Sequence, residues 1–194
     1  MVAVNSLMVP LGTEAPNFEL PTPEGKVYKL EDFKDKKGLL IIFMCNHCPF
    51  VKHVIKEIVN IANEYMKKDI AIIGINSNDF EKYPDDSPQK MVEFIEYMGI
   101  PFPYLIDETQ EVAKLYKATC TPDFFLYDSD FKLYYRGQLD SSRPGNNIPV
   151  TGEDLRNALD SLLAGNPPPE NQKPSIGCNI KWKPDNEPDY FKVP

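Results

Sequence analysis

Cys45 and Cys48 are separated by two residues in Cys45-Asn46-His47-Cys48-Pro49, the strongest chemical signal in the chain. A C-x-x-C pair can close a short disulfide and open it again, the chemistry of a dithiol redox centre. Residues 39–44 before it are an apolar run, expected to be a central strand covered on both faces. After Cys48 the pattern turns helical. Val51, Ile55, Ile58, Ala62 and Tyr65 recur three or four residues apart, with Lys52, Lys56, Glu57 and Asn60 between them. The pair therefore lies where a buried strand hands over to the first turn of a helix, facing free backbone N–H groups and the positive end of the helix dipole. A thiolate there should have a pKa well below the ~8.5 of a free cysteine. Cys45, at the exposed helix end, is expected to attack. Cys48, one turn in and more buried, would resolve the mixed disulfide. His47 between them would stabilise the thiolate and make the disulfide a stronger oxidant.

Structural zinc is the competing use of such a pair, but it needs four ligands at suitable spacing. The chain has one C-x-x-C, and His53 is expected on the outer face of the helix, so no metal site is assigned. C-x-x-C thiolates also bind Cu(I) or zinc reversibly, which keeps a soft-metal carrier as an alternative. The acidic stretch within residues 79–86 lacks the glycine and terminal glutamate of a calcium loop and reads as a solvated loop.

The 194 residues allow one domain with an appendage. A net charge of −8 argues against nucleic acid or an anionic membrane surface as partner. The N-terminus has no early Lys or Arg and is broken by Asn5, Ser6 and Pro10, so it does not read as a signal peptide, and no stretch has transmembrane length. A cytoplasmic location is expected, where four cysteines mean redox or metal chemistry more than a disulfide scaffold.

The positioning elements follow in order. Residues 17–31 read as a small hairpin turning at Pro23-Glu24-Gly25-Lys26. Residues 70–75 are a second buried strand, forming a parallel crossover unit with the first strand and its helix. Ser87-Pro88 starts a helix with Met91, Phe94, Ile95 and Met98 inward. A short strand at residues 103–107 and a brief helix carrying Val112, Leu115 and Tyr116 lead to Cys120-Thr121-Pro122. Residues 124–127 and 133–135 flank the turn Asp128-Ser129-Asp130. Thr151-Gly152-Glu153-Asp154 reads as a capping box opening a last helix with Leu155, Leu159, Leu162 and Leu163 inward. Residues 1–165 make the domain. Residues 166–194 are a proline-rich extension expected to fold back on it in extended form, because Ile176, Cys178, Ile180 and Trp182 fall on alternate positions. Cys178 reads as packing in that apolar row. The sharper alternative makes it a resolving cysteine that reaches Cys45 or Cys120.

With this order the chain resembles the thioredoxin superfamily over about residues 12–165, in its redoxin branches (TlpA/ResA and peroxiredoxin-like AhpC/TSA). Gly12-Thr13-Glu14-Ala15-Pro16-Asn17-Phe18 is similar to the opening of such domains. Cys-Asn-His-Cys-Pro (45–49), Thr-Cys-Thr-Pro-Asp-Phe-Phe (119–125) and Ser-Ile-Gly-Cys-Asn-Ile-Lys-Trp (175–182) resemble a peroxiredoxin-like C-x-x-C group. The resemblance implies an α/β fold: a mixed central sheet with helices on both faces, an N-terminal hairpin and an extended C-terminal tail. It implies a cis peptide before Pro122 and a backbone at Thr121 that pairs with an extended substrate strand. Cys120 would lie at the rim of that site, and Asp123 would be its nearest acid and a candidate proton carrier.

The implied function is thiol–disulfide oxidoreduction without a cofactor, acting on a protein or low-molecular-weight disulfide and recycled by a thiol reductant. A thiol-dependent peroxidase is the other enzymatic alternative, and Arg136 and Arg143 could assist peroxide binding. The chain departs from the peroxiredoxin pattern P-x-x-x-T-x-x-C, because aligning its cysteine on Cys48 puts Ile41 at the proline and Cys45 at the threonine. The acids that thioredoxin and some TlpA-like proteins carry six residues before or after the first cysteine are Leu39 and Val51 here. Nothing in the pattern fixes an oligomeric state.

Overall fold

The computed structural model describes residues 2–191. Met1 and residues 192–194, the outer ends of the two expected regions, lie outside the described residues. The strands are β1 (Ala3–Asn5), β2 (Glu19–Pro21), β3 (Val27–Lys29), β4 (Gly38–Phe43), β5 (Ile70–Asn76), β6 (Tyr104–Ile106), β7 (Cys120–Thr121), β8 (Asp123–Asp128), β9 (Leu133–Gly137) and β10 (Ile176–Asn179). The helices are α1 (Pro49–Tyr65), α2 (Pro88–Met98), α3 (Glu111–Tyr116) and α4 (Glu153–Leu163). Among the described residues no helix is long and apolar enough to cross a membrane.

The central sheet runs β6-β5-β4-β8-β9. β5 is parallel to β4 and to β6, whereas β8 is antiparallel to both β4 and β9. Every residue of β4 is buried, and its period-two alternation splits it between two cores. Leu40, Ile42 and Met44 join residues of α1, α2 and α4 on one face. Leu39, Ile41 and Phe43 join α3, Phe33 and the tail on the other. Such a strand can only be a central one, because burial on both faces requires layers on both sides. β2 and β3 form the separate N-terminal hairpin.

α4 begins differently from the expected capping box. Gly152 is its N-cap at φ 67°, with no side-chain cap. The Asp140 carboxylate instead accepts the Thr151 and Gly152 N–H groups at 2.8 and 2.7 Å. A β-carbon at residue 152 would also fall 2.8 Å from Ile61, so glycine satisfies both the left-handed backbone and the close approach of α1.

A second sheet, β1-β10-β7, fastens the ends of the chain to the middle. β10 lies antiparallel between β1 and β7, with Cys178 opposite both Ala3 and Thr121. Ile180 and Trp182 are buried in the second core, each contributing roughly 1.5–3 kcal/mol on burial. The alternating row does not share one environment, however. Ile176 is 38% exposed, while Cys178 belongs to the first core. The chain crosses the end of the sheet here, so its successive inward residues meet different layers.

Candidate active site

β4 ends at Phe43 and α1 starts at Pro49, leaving residues 44–48 as the junction that carries both cysteines. Cys48 is the N-cap of α1, with an extended backbone. Hydrogen bonds from Cys178 and then Cys45 outweigh burial and hold Cys48 well below the ordinary thiol range. Its sulfur also receives the Val51 N–H, so the helix N-terminus adds a smaller push the same way. Cys45 behaves oppositely. It is 1% exposed, and burial, its hydrogen bond to Cys48 and the charge of Asp86 push it well above that range. The expectation of an exposed first cysteine with a depressed pKa is thus corrected. Burial dominates at the first cysteine, whereas the second gains the Cys178 contact of the tail and, to a smaller extent, the helix N-terminus.

Thr121 bridges the pair. Its Oγ1 lies 3.4 Å from Cys45 Sγ, and its carbonyl accepts the Cys48 thiol at 3.2 Å. Two arrangements of one shared proton are therefore supported. With the proton on Cys45, Cys48 is the anion at the helix N-terminus. With the proton on Cys48, that thiol donates to the Thr121 carbonyl, and the Thr121 hydroxyl can donate to a Cys45 thiolate. The pair titrates as a unit.

The loop after β5 supplies the acid that the residues near the C-x-x-C lack. Asp86 accepts the Asn46 N–H at 2.7 Å, Asn78 Nδ2 at 2.8 Å and His47 Nδ1 at 2.6 Å. Burial pushes its carboxyl up, but these hydrogen bonds and the neighbouring histidine prevail and keep it below the usual range. A neutral ring that donates to Asp86 from Nδ1 accepts at Nε2. Tyr83 stacks on that ring at 5.9 Å, and Tyr104 fixes the backbone by donating to Met44 O at 3.2 Å and Asn46 Oδ1 at 3.1 Å. One donor atom each from Cys45, His47 and Asp86 falls within 4.8 Å of the others, a set that could hold a soft divalent ion.

Several expectations change here. Of residues 79–86, Asp79 and Asp86 are buried, whereas Glu81, Lys82, Pro84 and Asp85 are exposed as expected. The tail covers the start of the loop: Asn78 Oδ1 accepts Lys181 N–H at 2.8 Å, and Asp79 N–H donates to Lys181 O at 2.8 Å. Cys120 is buried, not at a rim, because β10 overlies β7. Asp123 is fully buried at the start of β8, and burial pushes its carboxyl well above the usual range. Arg136 is engaged by Val9 O and Gln172, and Arg143 by Asp140 O, Ser142 O and Gln138. His53 is half-buried, with Nε2 2.7 Å from Ser142 Oγ.

The Thr121–Pro122 peptide is cis, the isomer the resemblance implies. The Thr121 edge is nevertheless occupied, because Cys178 of β10 is its strand partner. A β-carbon at Gly177 would fall 2.2 Å from Thr121 O, so only glycine lets the tail lie this close. The expected platform for a substrate strand is filled by the chain itself. An open groove of about 360 Å³ lies on the opposite side, lined by residues including Asn46, His47, Lys52, Phe94 and Tyr97.

Sequence reasoning missed Asp86. The signal available was topological. β4 and β5 are parallel, so the loops after both emerge at the same edge of the sheet, where sites of open α/β folds form.

The sheet order, the dithiol junction and the adjoining cis-proline define a thioredoxin-fold protein. The chain belongs to the AhpC/TSA family, which it matches over residues 11–136. Thiol-disulfide oxidoreductase ResA from Bacillus thuringiensis subsp. konkukian is 29% identical over 123 residues, 63% of this chain, and the match spans 66% of that relative's length. The crystal structure of an uncharacterized conserved protein from Geobacillus kaustophilus is 60% identical, with a TM-score of 0.93 over 95% of this chain and 98% of its own. The thioredoxin domain of a thiol-disulfide oxidoreductase from Bacteroides vulgatus, 20% identical, superposes with a TM-score of 0.63 over 80% of this chain and 99% of its own, a likeness of fold alone.

Proposed function

We propose that the chain is a thiol–disulfide oxidoreductase working through Cys45 and Cys48. The observation that carries this reading is the bridged pair itself: two sulfurs hydrogen-bonded to each other and to Thr121, beside a His47–Asp86 couple. As substrate approaches, the shared proton moves to Cys48, and the Cys45 thiolate attacks one sulfur of the substrate disulfide. A Cys45–substrate bond forms, and the other half leaves as a thiol, taking a proton delivered through His47 Nε2. Cys48 loses its proton to the same acceptor and attacks Cys45, closing the protein disulfide and releasing the second thiol. Two electrons pass to the substrate, and a thiol reductant restores the dithiol.

The occupied Thr121 edge favours low-molecular-weight disulfides over extended protein strands, with entry by the groove at His47. Peroxide is a poor fit. Ile41 and Cys45 replace the proline and threonine of the peroxidatic pattern, and both candidate arginines are engaged elsewhere, so preorganised donors for the O–O bond are missing. A soft metal at Cys45, His47 and Asp86 would block the same sulfur, so zinc is expected to inhibit.

Turnover of a small aromatic disulfide and of insulin, each with dithiothreitol as reductant, tests this. The small disulfide should be reduced faster, and both activities should vanish in Cys45→Ser. An undiminished rate in Cys45→Ser overturns the reading.

A further inference from the structure

The sulfur contacts do not stop at the C-x-x-C. Cys178 is hydrogen-bonded to Cys48, and its sulfur also receives the backbone N–H of Phe50. Cys48 and Cys178 therefore both engage backbone donors in the first turn of α1, the one with Val51 and the other with Phe50. The pairing of Cys178 with Thr121 holds the tail thiol there, and Thr121 is also the residue that bridges Cys45 and Cys48. Gly177 permits this seat, since any side chain at that position would collide with the Thr121 carbonyl. All three sulfurs belong to one buried cluster, and none is in a disulfide.

We propose that Cys178 is a third redox cysteine, which takes the disulfide from Cys45 by exchange on Cys48. The step deepens the oxidoreductase reading and rests on it. The Cys178 thiolate attacks Cys48 Sγ of the Cys45–Cys48 disulfide. The Cys48–Cys178 bond forms, the Cys45–Cys48 bond breaks, and the proton given up by Cys178 ends on Cys45. No external oxidant or reductant is consumed. The exchange requires these hydrogen-bonded sulfurs to close to the ~2.05 Å of a disulfide.

Charge favours this order of events. In the reduced protein the hydrogen bond to Cys48 and burial push the Cys178 thiol up, so it stays protonated. Once Cys48 is locked in a disulfide it no longer carries the charge that retains that proton, so the largest cause raising Cys178 is gone. Burial still opposes a thiolate there, and Lys181 and the Phe50 N–H favour it. The exchange returns Cys45, whose sulfur lies within 4.8 Å of a His47 ring nitrogen, to its thiol form with the oxidising equivalent stored behind it. Reversal delivers the disulfide back to Cys45–Cys48 for reduction by an external thiol.

Peptide mapping of the full chain decides it. Protein is oxidised with diamide, quenched in denaturant with N-ethylmaleimide and digested with trypsin without reduction. Cys45 and Cys48 lie on one tryptic peptide and Cys178 on another, so the two disulfides give different products. The expected result is a cross-linked pair joining those peptides in the wild type, and as the main product in Cys45→Ser and Cys45→Ala. Cys178→Ser should form only the internal Cys45–Cys48 bond, and its Cys45 labelling after oxidation should fall several-fold below the wild type. A wild type that closes Cys45–Cys48 while folded Cys45→Ser and Cys45→Ala give no cross-link to Cys178 overturns the inference and leaves the oxidoreductase reading standing. A wild type that closes neither disulfide overturns both.

Discussion

On one side of the Cys45–Cys48 pair stands the loop after β5, whose Asp86 and Asn78 meet Asn46 and His47 of the junction. On the other stands the β7–β10 edge, which offers sulfur, carbonyl oxygen and backbone. The first flank is charged and opens through His47 to the groove. The second is sealed, with Cys120, Thr121, Gly177 and Cys178 all buried. Each suits a different task. Protons must be exchanged with solvent, so their carrier needs a titratable ring at the surface. Sulfur exchange needs short contacts and dry surroundings, which a tail strand laid against the cis-proline supplies.

Substituting Asp86 should cost most. Asp86→Ala leaves the buried Asn46 N–H and Asn78 amide without their acceptor and His47 without its partner, and a loss of about 3–5 kcal/mol is expected in urea unfolding. The sign with pH is set by its lowered pKa. Its stabilisation is present above the unfolded value of about 3.9 and is lost as pH falls through the lower folded value. The acid limb of the stability profile should therefore be shallower in Asp86→Asn than in the wild type. Equal limbs would remove the carboxylate from the charged flank.

His47→Ala should divide kinetics from stability on the same flank. Turnover is expected to drop about 100-fold, the range of lost acid–base assistance, with a smaller stability loss than Asp86→Ala. A stability loss with unchanged turnover would make the ring a structural prop.

Gly177→Ala probes the sealed flank. Its β-carbon meets Thr121 O, so the tail must shift at a cost of about 1–3 kcal/mol. Native Cys178 should become faster to alkylate and Trp182 emission should move to the red. Unchanged labelling and emission would mean the tail does not depend on this contact. The exposed Lys36–Asp69 pair, outside both flanks, sets the floor: Lys36→Ala should change stability by less than about 1 kcal/mol.

The strand and helix order was legible because β4, α1 and β5 carry unambiguous periods, and the family resemblance was carried by motifs that survive in one sequence. The position of the dithiol followed from the same junction. Its electrostatics did not, since the charge on Cys48 is favoured first by a hydrogen bond with Cys178 of the distant tail and then by Cys45, while burial disfavours it on Cys45. Asp86 was illegible for another reason. An aspartate in a polar loop looks solvated until Asn46 and His47 of the distant junction are known to meet it, and until Asn78, its other partner, is held by Lys181 of the tail. Thr121 likewise reads as an open edge until β10 is known to lie on it. Both failures concern contacts between segments far apart in the chain, which local pattern cannot encode.

Equilibrium titration of Cys178→Ser protein against a glutathione redox buffer, with thiol trapping and mass mapping, tests the Cys45–Cys48 dithiol most directly. The account predicts that the labels at Cys45 and Cys48 disappear together along one two-electron curve, about 30 mV per tenfold change in ratio, while Cys120 stays reduced. Independent loss of the two labels, or glutathione adducts with no internal disulfide, would contradict it.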